Sequence, residues 1–278
     1  GKMIVYTEGY ARPKASYYAT SNGSCKDVDV IVLIDSWSAS ASEIVSGAIQ
    51  DNDRGMIVGR RSFGKGLVQE PSFFRDGSQI RLTVARYYTP TGRCIQKSYK
   101  NGTDAYYHEL SDRAESGEME NESTKKMPDS LKFTTPKGKI VYGGGGITPD
   151  VFVPIDTTAN TDYLFRSIRE GLIYRFSLQY TEQNRTKCEQ MPGYKQLQAY
   201  LQTQNLLNQY VAFAASKGLV ANWKEIGISK KVIETQVQAY IIRNFFDDKG
   251  FYPVLNQIDE TYLKALHIAE SSEHLSKK

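Results

Sequence analysis

The chain has 278 residues, of which 40% are hydrophobic and 24% are charged, enough for one large domain or two smaller ones with a sizeable core. Its 35 basic and 31 acidic residues leave a formal net charge of +4 and form no basic block, which argues against a nucleic-acid partner. The sequence contains no run of ~18 apolar residues, the length that would indicate membrane insertion. Its three cysteines fit neither a disulfide framework nor a zinc site.

From Gly1 to about Pro154, strand and helix patterns alternate, which indicates an α/β arrangement. The sequence predicts strands over residues 3–6, 28–34, 56–58, 80–88 and 139–142. A helix that begins near Ala41 repeats apolar residues with helical spacing, so one of its faces should pack on the sheet. Because Gly1 already lies inside an apparent strand, we expect the chain to be a piece of a longer protein.

The remaining segments differ in composition. Residues 100–130 are polar, include Lys125-Lys126, and lack a sustained period, so they predict a surface excursion. After Pro154 the chain becomes rich in glutamine and tyrosine, and helices are predicted over 163–179, 194–217 and 229–246. Ser229 is expected to cap the last helix and Gly218 to close the one before it. We therefore predict an α/β domain over 1–154 and an all-helical domain over 155–278.

The segment Ser38–Glu43 joins the apolar strand to the first helix. A helix that begins near Ser40 directs unpaired backbone N–H groups, and the positive end of its dipole, toward whatever this serine attacks. The N–H of Ala41 is then a natural donor to an oxyanion, which needs donors at roughly 2.7–3.1 Å. Glu43 is interpreted as structural, since a carboxylate in the first turn interacts favourably with the dipole. The alternative for such a turn is a simple helix cap.

A serine nucleophile needs a base, and histidine is a poor choice here. The three histidines lie in the polar excursion and the helical half, none near a strand end that could face Ser40: His108, His267 and His274. A lysine can serve instead when burial lowers its pKa from ~10.4 toward ~7–8.

Lys65 has the surroundings that such a base requires. Glycines flank it, and Phe63 and Leu67 are apolar. Gln69, four residues later, is placed to hold the amine through its amide oxygen if the segment turns helically or folds back. Taken alone, a lysine between glycines is more often a solvated loop residue, so the argument depends on its combination with Ser40.

The order and spacing of several segments resemble the C-terminal processing peptidases, also called tail-specific proteases, which are serine proteases with a serine–lysine dyad. The resemblance covers roughly 110 residues of the first half and rests on Ser38–Ile44, Gln50–Asp51, Val58–Gly59, Phe63–Gln69, Asp76–Ser78, Leu82–Arg93 and Gly146–Asp150. The helical half lies outside it.

The resemblance implies a role for individual residues. Ser40 would be the nucleophile and Lys65 the base, 25 positions apart as in the family. Gln69 would position the lysine amine, and the Ala41 N–H would help to bind the oxyanion. Asp51 matches a family aspartate that follows the helix, and we interpret it as more structural than chemical, bracing the turn before Val58.

The resemblance also implies a fold and a function. The fold would be a crotonase/ClpP-like ββα core, partial because its N-terminal part is absent, followed by the helical domain. The activity would be that of a serine endopeptidase in the periplasm or cell envelope, which cuts near the C-terminal tails of polypeptide substrates without metal or cofactor. The helical domain is assigned to substrate handling or to self-association as a homo-oligomer.

Two alternatives stay open. Family members usually carry an upstream PDZ domain and a glycine-rich segment that contributes to the oxyanion site, so the isolated chain is expected to be weak or inactive. The same fold could instead be a catalytically incompetent peptide-binding or scaffold module, or the helical half could be the principal functional element. An intact serine–lysine pair argues against a pure binder, which has no need for a desolvated lysine.

Overall fold

The computed structural model describes residues 1–122 and 127–271. Lys125, Lys126 and His274, which entered the sequence argument, lie outside the described residues. The chain divides into two compact units, Gly1–Ile155 with the described residues from Lys264 onward, and Asp156–Leu263. The predicted division placed 155–278 in one helical domain, whereas the end of the last helix belongs to the first unit.

The first unit mixes strands and helices, which confirms the predicted α/β class. Its strands are β1 (Met3–Gly9), β2 (Arg12–Tyr18), β3 (Ile31–Ile34), β4 (Met56–Gly59), β5 (Leu67–Phe73), β6 (Gln79–Tyr88), β7 (Lys132–Thr134), β8 (Ile140–Tyr142) and β9 (Val151–Phe152). Its helices are α1 (Ala41–Asp51) and α2 (Gly102–Glu115), with a short 3-10 turn at Asp129–Leu131. Each predicted strand is present, but β2, β5, β7 and β9 were not predicted.

The strands form three sheets. An antiparallel sheet has the order β2-β1-β6-β5, a parallel sheet has the order β3-β4-β9, and β7 pairs with β8. In the parallel sheet Leu33 lies opposite Val58, and α1 connects β3 to β4. Since α1 begins beyond the carboxyl end of β3, the Ser38–Glu43 turn lies at the edge of the sheet where open α/β folds bind their ligands.

Two small apolar clusters hold the parallel sheet in place. Ile34 and Ile57 from the sheet are buried with Ile95 and Ile147. In the second cluster, Val58 and Val153 pack against the last turns of the final helix.

The prediction of an irregular surface excursion over residues 100–130 is wrong where the chain forms helix α2. Its periodicity was hidden because its buried positions are not aliphatic. Tyr106 and Arg113 are 5% and 4% exposed, and both lie on the inner face of the helix.

The second unit is helical, as predicted. It contains α3 (Asp162–Arg169), α4 (Leu172–Glu189), α5 (Tyr194–Gln202), α6 (Leu206–Ser216) and α7 (Trp223–Leu255), and α8 (Glu260–Glu270) begins in it after a 3-10 turn at Asn256–Ile258. Its core is one large apolar cluster with Leu197, Tyr210 and Ile233 fully buried. None of the helices in the described ranges combines the length and apolar character needed to span a bilayer.

Helix boundaries in this unit differ from the prediction. The segments predicted as single helices over 163–179 and 194–217 each break at a residue with positive φ, Gly171 (64°) and Asn205 (49°). The predicted cap Ser229 was wrong. The long helix starts earlier, with Asn222 as its N-cap, and the buried Ser229 hydroxyl donates to the carbonyl of Ala159 at 2.6 Å.

The end of α6 agrees with the prediction. Gly218 has φ 93° and follows the last helical turn. The N–H groups of Gly218 and Leu219 donate to Ala215 and Ala214, the two hydrogen bonds of a Schellman motif. Gly218 therefore closes this helix, because only glycine takes the left-handed conformation there at little cost.

Candidate active site

Ser40 lies at the N-cap of α1 in a strained conformation. Its φ is 57° and its ψ is −114°, the geometry of the first central residue of a type II′ turn, where glycine dominates. A serine in such a region costs roughly 1–3 kcal/mol and persists only where the surroundings enforce it. A strained serine between a strand and a helix is also how α/β-hydrolases expose their nucleophile.

Hydrogen bonds fix the turn that precedes Ser40. One carboxylate oxygen of Asp35 accepts the N–H groups of Trp37 and Ser38, each at 3.0 Å, and the Ser38 hydroxyl at 3.1 Å. The Ser38 carbonyl in turn accepts the N–H of Phe63 at 2.9 Å. The serine turn is thus joined directly to the loop that carries Lys65.

A second and stronger connection runs through Glu43, whose side chain is fully buried. One carboxylate oxygen accepts the N–H groups of Ser40 and Lys65, at 2.9 and 2.8 Å. The other accepts the Ser62 hydroxyl at 2.5 Å and the Gly64 N–H at 2.7 Å. One carboxylate therefore holds the backbones of both predicted catalytic residues.

Sequence reasoning missed this role and assigned Glu43 only to the helix dipole. The S-x-x-E spacing of Ser40 and Glu43 is a capping-box pattern and could have predicted the contact with the Ser40 N–H. No local pattern predicts the contacts with the Lys65 loop.

The predicted oxyanion donor, the N–H of Ala41, lies at the start of α1. Ala41 is the first residue of α1 and is exposed. Within the described part of the chain, its N–H has no hydrogen-bond acceptor, whereas the next N–H, of Ser42, turns back to the carbonyl of Ala39. The helix dipole adds to the attraction that this free donor exerts on an anion.

The loop of Lys65 has a fixed backbone. Gly64 takes φ 90°, and the N–H of Gly66 donates to the side chain of Gln96 at 2.8 Å. The carbonyl of Gly66 accepts the N–H of Tyr87, also at 2.8 Å. The backbone of Lys65 is therefore enclosed by hydrogen bonds on both sides.

The side chain of Lys65 does not have the predicted surroundings. It is exposed, so the prediction that Phe63 and Leu67 give it buried, apolar surroundings is wrong. Phe63 turns instead toward a different lysine, Lys97, whose ammonium nitrogen lies 3.9 Å from the ring centroid. Within residues 1–122 and 127–271, no hydrogen bond joins the Lys65 amine to the Ser40 hydroxyl.

Gln69 lies on strand β5, opposite Thr83, and is exposed. The suggested helical turn between Lys65 and Gln69 is therefore wrong. The Gln69 amide nitrogen lies 3.5 Å from the Thr83 hydroxyl and donates to it, and the side chain makes no hydrogen bond to Lys65 among the described residues.

Asp51 has a structural position, as interpreted, but a different target. It ends the 11-residue helix α1, about 16 Å along the axis from Ser40. Its buried carboxylate accepts the Arg93 guanidinium at 2.7 Å, the Thr91 hydroxyl at 2.6 Å, and the hydroxyl of Thr89. Asp51 therefore braces the turn after β6, not the turn before Val58.

The Gly146–Asp150 segment completes the frame around α1. One oxygen of Asp150 accepts the N–H of Ile57 on β4 at 2.8 Å, and the other accepts the Gln50 amide at 2.8 Å.

No group of three or more histidine, cysteine or acidic side chains in the described ranges is arranged to hold a metal.

Comparisons with known proteins find a similarity to a peptidase family over the first part of the chain. Residues 1–104, which include Ser40, Ala41, Glu43, Lys65 and Gln69, match the model of peptidase family S41. This part of the chain is therefore similar to peptidase family S41. Residues 163–247 match a separate model described as a family of unknown function, DUF8443.

Several curated proteases are similar to the same region. A carboxyl-terminal-processing protease of Synechocystis is 44% identical over 95 residues, which are 34% of this chain and 22% of that protein. The chloroplastic C-terminal processing peptidase of Tetradesmus obliquus is 46% identical over 81 residues, 29% of this chain and 18% of that protein. A carboxy-terminal-processing protease of Bartonella bacilliformis is 46% identical over 94 residues, 34% of this chain and 22% of that protein. The matched region thus spans less than a quarter of each relative.

A solved structure, the photosystem II D1 C-terminal processing protease, is also similar. It aligns with 56% of this chain and 28% of its own, with 26% identity and a TM-score of 0.37.

Proposed function

We propose that this chain carries part of the catalytic domain of a serine endopeptidase of the carboxyl-terminal processing class. The observation that supports it best is the shared carboxylate of Glu43. It holds the backbone of Ser40 in a strained conformation at a helix N-terminus and the backbone of Lys65 on the same oxygen. A plain helix cap has no need of either arrangement.

The proposed reaction uses four groups. The Ser40 hydroxyl attacks the scissile carbonyl, and the neutral amine of Lys65 takes the hydroxyl proton and returns it to the leaving amine. The oxyanion that forms accepts a hydrogen bond from the Ala41 N–H. Water, deprotonated by the same lysine, then attacks the acyl-serine, and the lysine returns that proton to the Ser40 oxygen as the second product leaves. Gln69, which makes no hydrogen bond to Lys65 among the described residues, is assigned to orienting the lysine amine once substrate is bound.

Lys65 must be shielded from water to act as a neutral base. Its side chain is exposed while its backbone is fixed, so a surface that covers the loop would desolvate the amine without moving the chain. We assign that covering to the bound polypeptide. This assignment accounts for an exposed lysine in a site whose backbone is already arranged.

The broader features of the proposal follow the family resemblance seen in the sequence. Substrates are polypeptides cut near their C-terminal tails, in the periplasm or cell envelope, without a cofactor. The first domain, predicted over 1–154, is the crotonase/ClpP-like ββα core. The helical domain, predicted over 155–278, serves in substrate handling or homo-oligomer formation.

A fluorophosphonate probe that labels activated serines tests the proposal, applied to the full-length protein that contains this chain. Ser40→Ala should abolish labelling and Lys65→Ala should reduce it by about 100- to 10,000-fold, the usual contribution of a general base. Ser42→Ala is the matched control, because Ser42 is an exposed serine two positions away. Labelling that survives in Ser40→Ala would disprove the nucleophile, and tail-peptide binding without labelling or cleavage would favour a binding module.

A further inference from the structure

Helix α2 presents a chemically unusual face to the loop that carries Lys65. Tyr106, Glu109 and Arg113 are spaced i, i+3 and i+7 and lie along one side of the helix. The S41 match ends at residue 104, so these residues lie beyond the part of the chain that the family model describes.

Arg113 binds the backbone of the loop. Its guanidinium donates to the carbonyl of Arg61 at 2.6 Å and to the carbonyl of Ser62 at 3.1 Å. Its side chain is 4% exposed, and Glu118 supplies a carboxylate at 3.1 Å. These two carbonyls lie only three and four residues before Lys65.

Glu109 joins two buried cations on either side of the same loop. One oxygen accepts the Arg61 guanidinium at 3.0 Å, and the other accepts the Lys97 ammonium at 2.8 Å. Burial alone would raise the pKa of Glu109, but Lys97 and Arg61 together lower it below its usual value. The backbone N–H of Lys97 also donates to the carbonyl of Gly64 at 3.0 Å.

Tyr106 completes the contact through the aromatic ring of Phe63. The two rings meet edge to face, with centroids 5.9 Å apart. The ammonium of Lys97 lies 3.9 Å from the Phe63 centroid and 4.3 Å from that of Tyr106, within the range of cation–π attraction. Every loop residue from Arg61 to Gly64 is thus bound by α2 or by Lys97, which α2 holds.

We propose that α2 positions the loop of Lys65, with Glu109 and Arg113 as positioning residues for the base. Glu43 holds the loop from the side of Ser40, and α2 holds the preceding residues through ion pairs and carbonyl contacts. The catalytic consequence rests on the proposed function, whereas the effect on loop stability does not. Without the carboxylate of Glu109, Lys97 loses its carboxylate partner and Arg61 keeps only that of Glu118, at 2.6 Å, which favours opening of the loop.

Amide hydrogen exchange measured by mass spectrometry tests this directly on the full-length protein. In Glu109→Gln, the peptide that contains Gly64 and Lys65 should exchange at least about tenfold faster than in wild type. Glu115→Gln is the matched control, since it makes the same chemical change at an exposed position of the same helix. Cleavage assays on the same variants should show a lower kcat with a smaller change in KM, and a shifted pH dependence of kcat.

Each outcome has a defined meaning. Unchanged exchange at Gly64 and Lys65, or equal acceleration in Glu115→Gln, would overturn the proposal. If Glu109→Gln unfolds, Glu109→Asp takes its place, because it retains the charge but is too short to reach both cations. Faster exchange in a protein whose Ser40 never labels would uphold the positioning of the loop and reject the protease function.

Discussion

Replacing Glu43 by glutamine tests whether one carboxylate organises the site. The carboxylate accepts four hydrogen bonds, two at each oxygen, in a position without solvent exposure. A glutamine side chain of the same size accepts hydrogen bonds only at its one oxygen, and its nitrogen donates. Whichever way the amide turns, two former donors face an N–H₂ group.

The structure decides which orientation costs less. If the amide nitrogen faces Ser40 and Lys65, two backbone N–H groups lose their acceptor. If it faces Ser62 and Gly64, the Ser62 hydroxyl can turn to accept a hydrogen bond from it, but the hydroxyl proton and the Gly64 N–H both lose their acceptor. Since an unsatisfied buried donor costs about 1–3 kcal/mol, the free energy of unfolding should fall by about 2–6 kcal/mol, and the second orientation should lie at the lower end because the new hydrogen bond to Ser62 offsets part of the loss.

Urea unfolding of the full-length protein measures this loss, with the exposed Glu8→Gln as control. Probe labelling of Ser40 should also slow by at least about tenfold, the factor that corresponds to 1.36 kcal/mol of lost alignment. An unfolding free energy within about 0.5 kcal/mol of wild type, the usual range for surface substitutions, would refute the role of Glu43.

Three further predictions follow from single contacts. Ser40→Gly should be more stable than Ser40→Ala by about 1 kcal/mol, because glycine adopts φ 57° without strain, and equal unfolding free energies would argue against strain at this position. Asp51→Asn should lower the free energy of unfolding by about 3–5 kcal/mol, because buried Arg93 loses its carboxylate. The double variant Asp51→Leu with Arg93→Met should lose less in urea unfolding, because it leaves no unpaired buried charge. Burial raises the pKa of the Cys94 thiol, so at pH 8 a maleimide should modify exposed Cys25 well before Cys94, and equal rates in the native protein would contradict this.

The strand, turn and helix around Ser40 could be predicted because their pattern is local. An apolar strand, a run of small hydroxyl residues and an amphipathic helix follow one another directly, and each has a period of its own. The spacing to Lys65 then added a second, independent constraint. Position in the chain was enough to propose both residues as catalytic.

The surroundings of those residues could not be predicted in the same way. The contacts of Glu43 with the Lys65 loop join residues about 20 positions apart, and nothing in either segment specifies the pairing. The exposure of Lys65 depends on which other segments pack on its loop, and two apolar neighbours in sequence do not decide that. Phe63 illustrates the point, since its ring packs on Lys97 and not on Lys65.

Helix α2 and Ser229 show how polar interiors mislead a pattern argument. The inner face of α2 carries tyrosine, glutamate and arginine, so a search for apolar spacing finds nothing there. Ser229 resembles a helix cap in sequence, yet it lies inside α7 and its buried hydroxyl bonds to Ala159. In both cases a buried polar group has found a partner far away in the chain.

At Lys65 the backbone is fixed and the side chain is free, so the entropy cost of ordering the site falls partly on folding and partly on substrate binding. Ordering a backbone costs about 1–2 kcal/mol per residue, so arranging the loop of residues 62–66 during catalysis would cost about 5–10 kcal/mol. Glu43 and α2 have already met that cost in the folded protein. Only the Lys65 side chain remains to be ordered, at about 1.5–2 kcal/mol, which a covering polypeptide can offset by burying its apolar stem. An exposed lysine on a rigid loop is therefore compatible with a base that becomes competent only when substrate is bound.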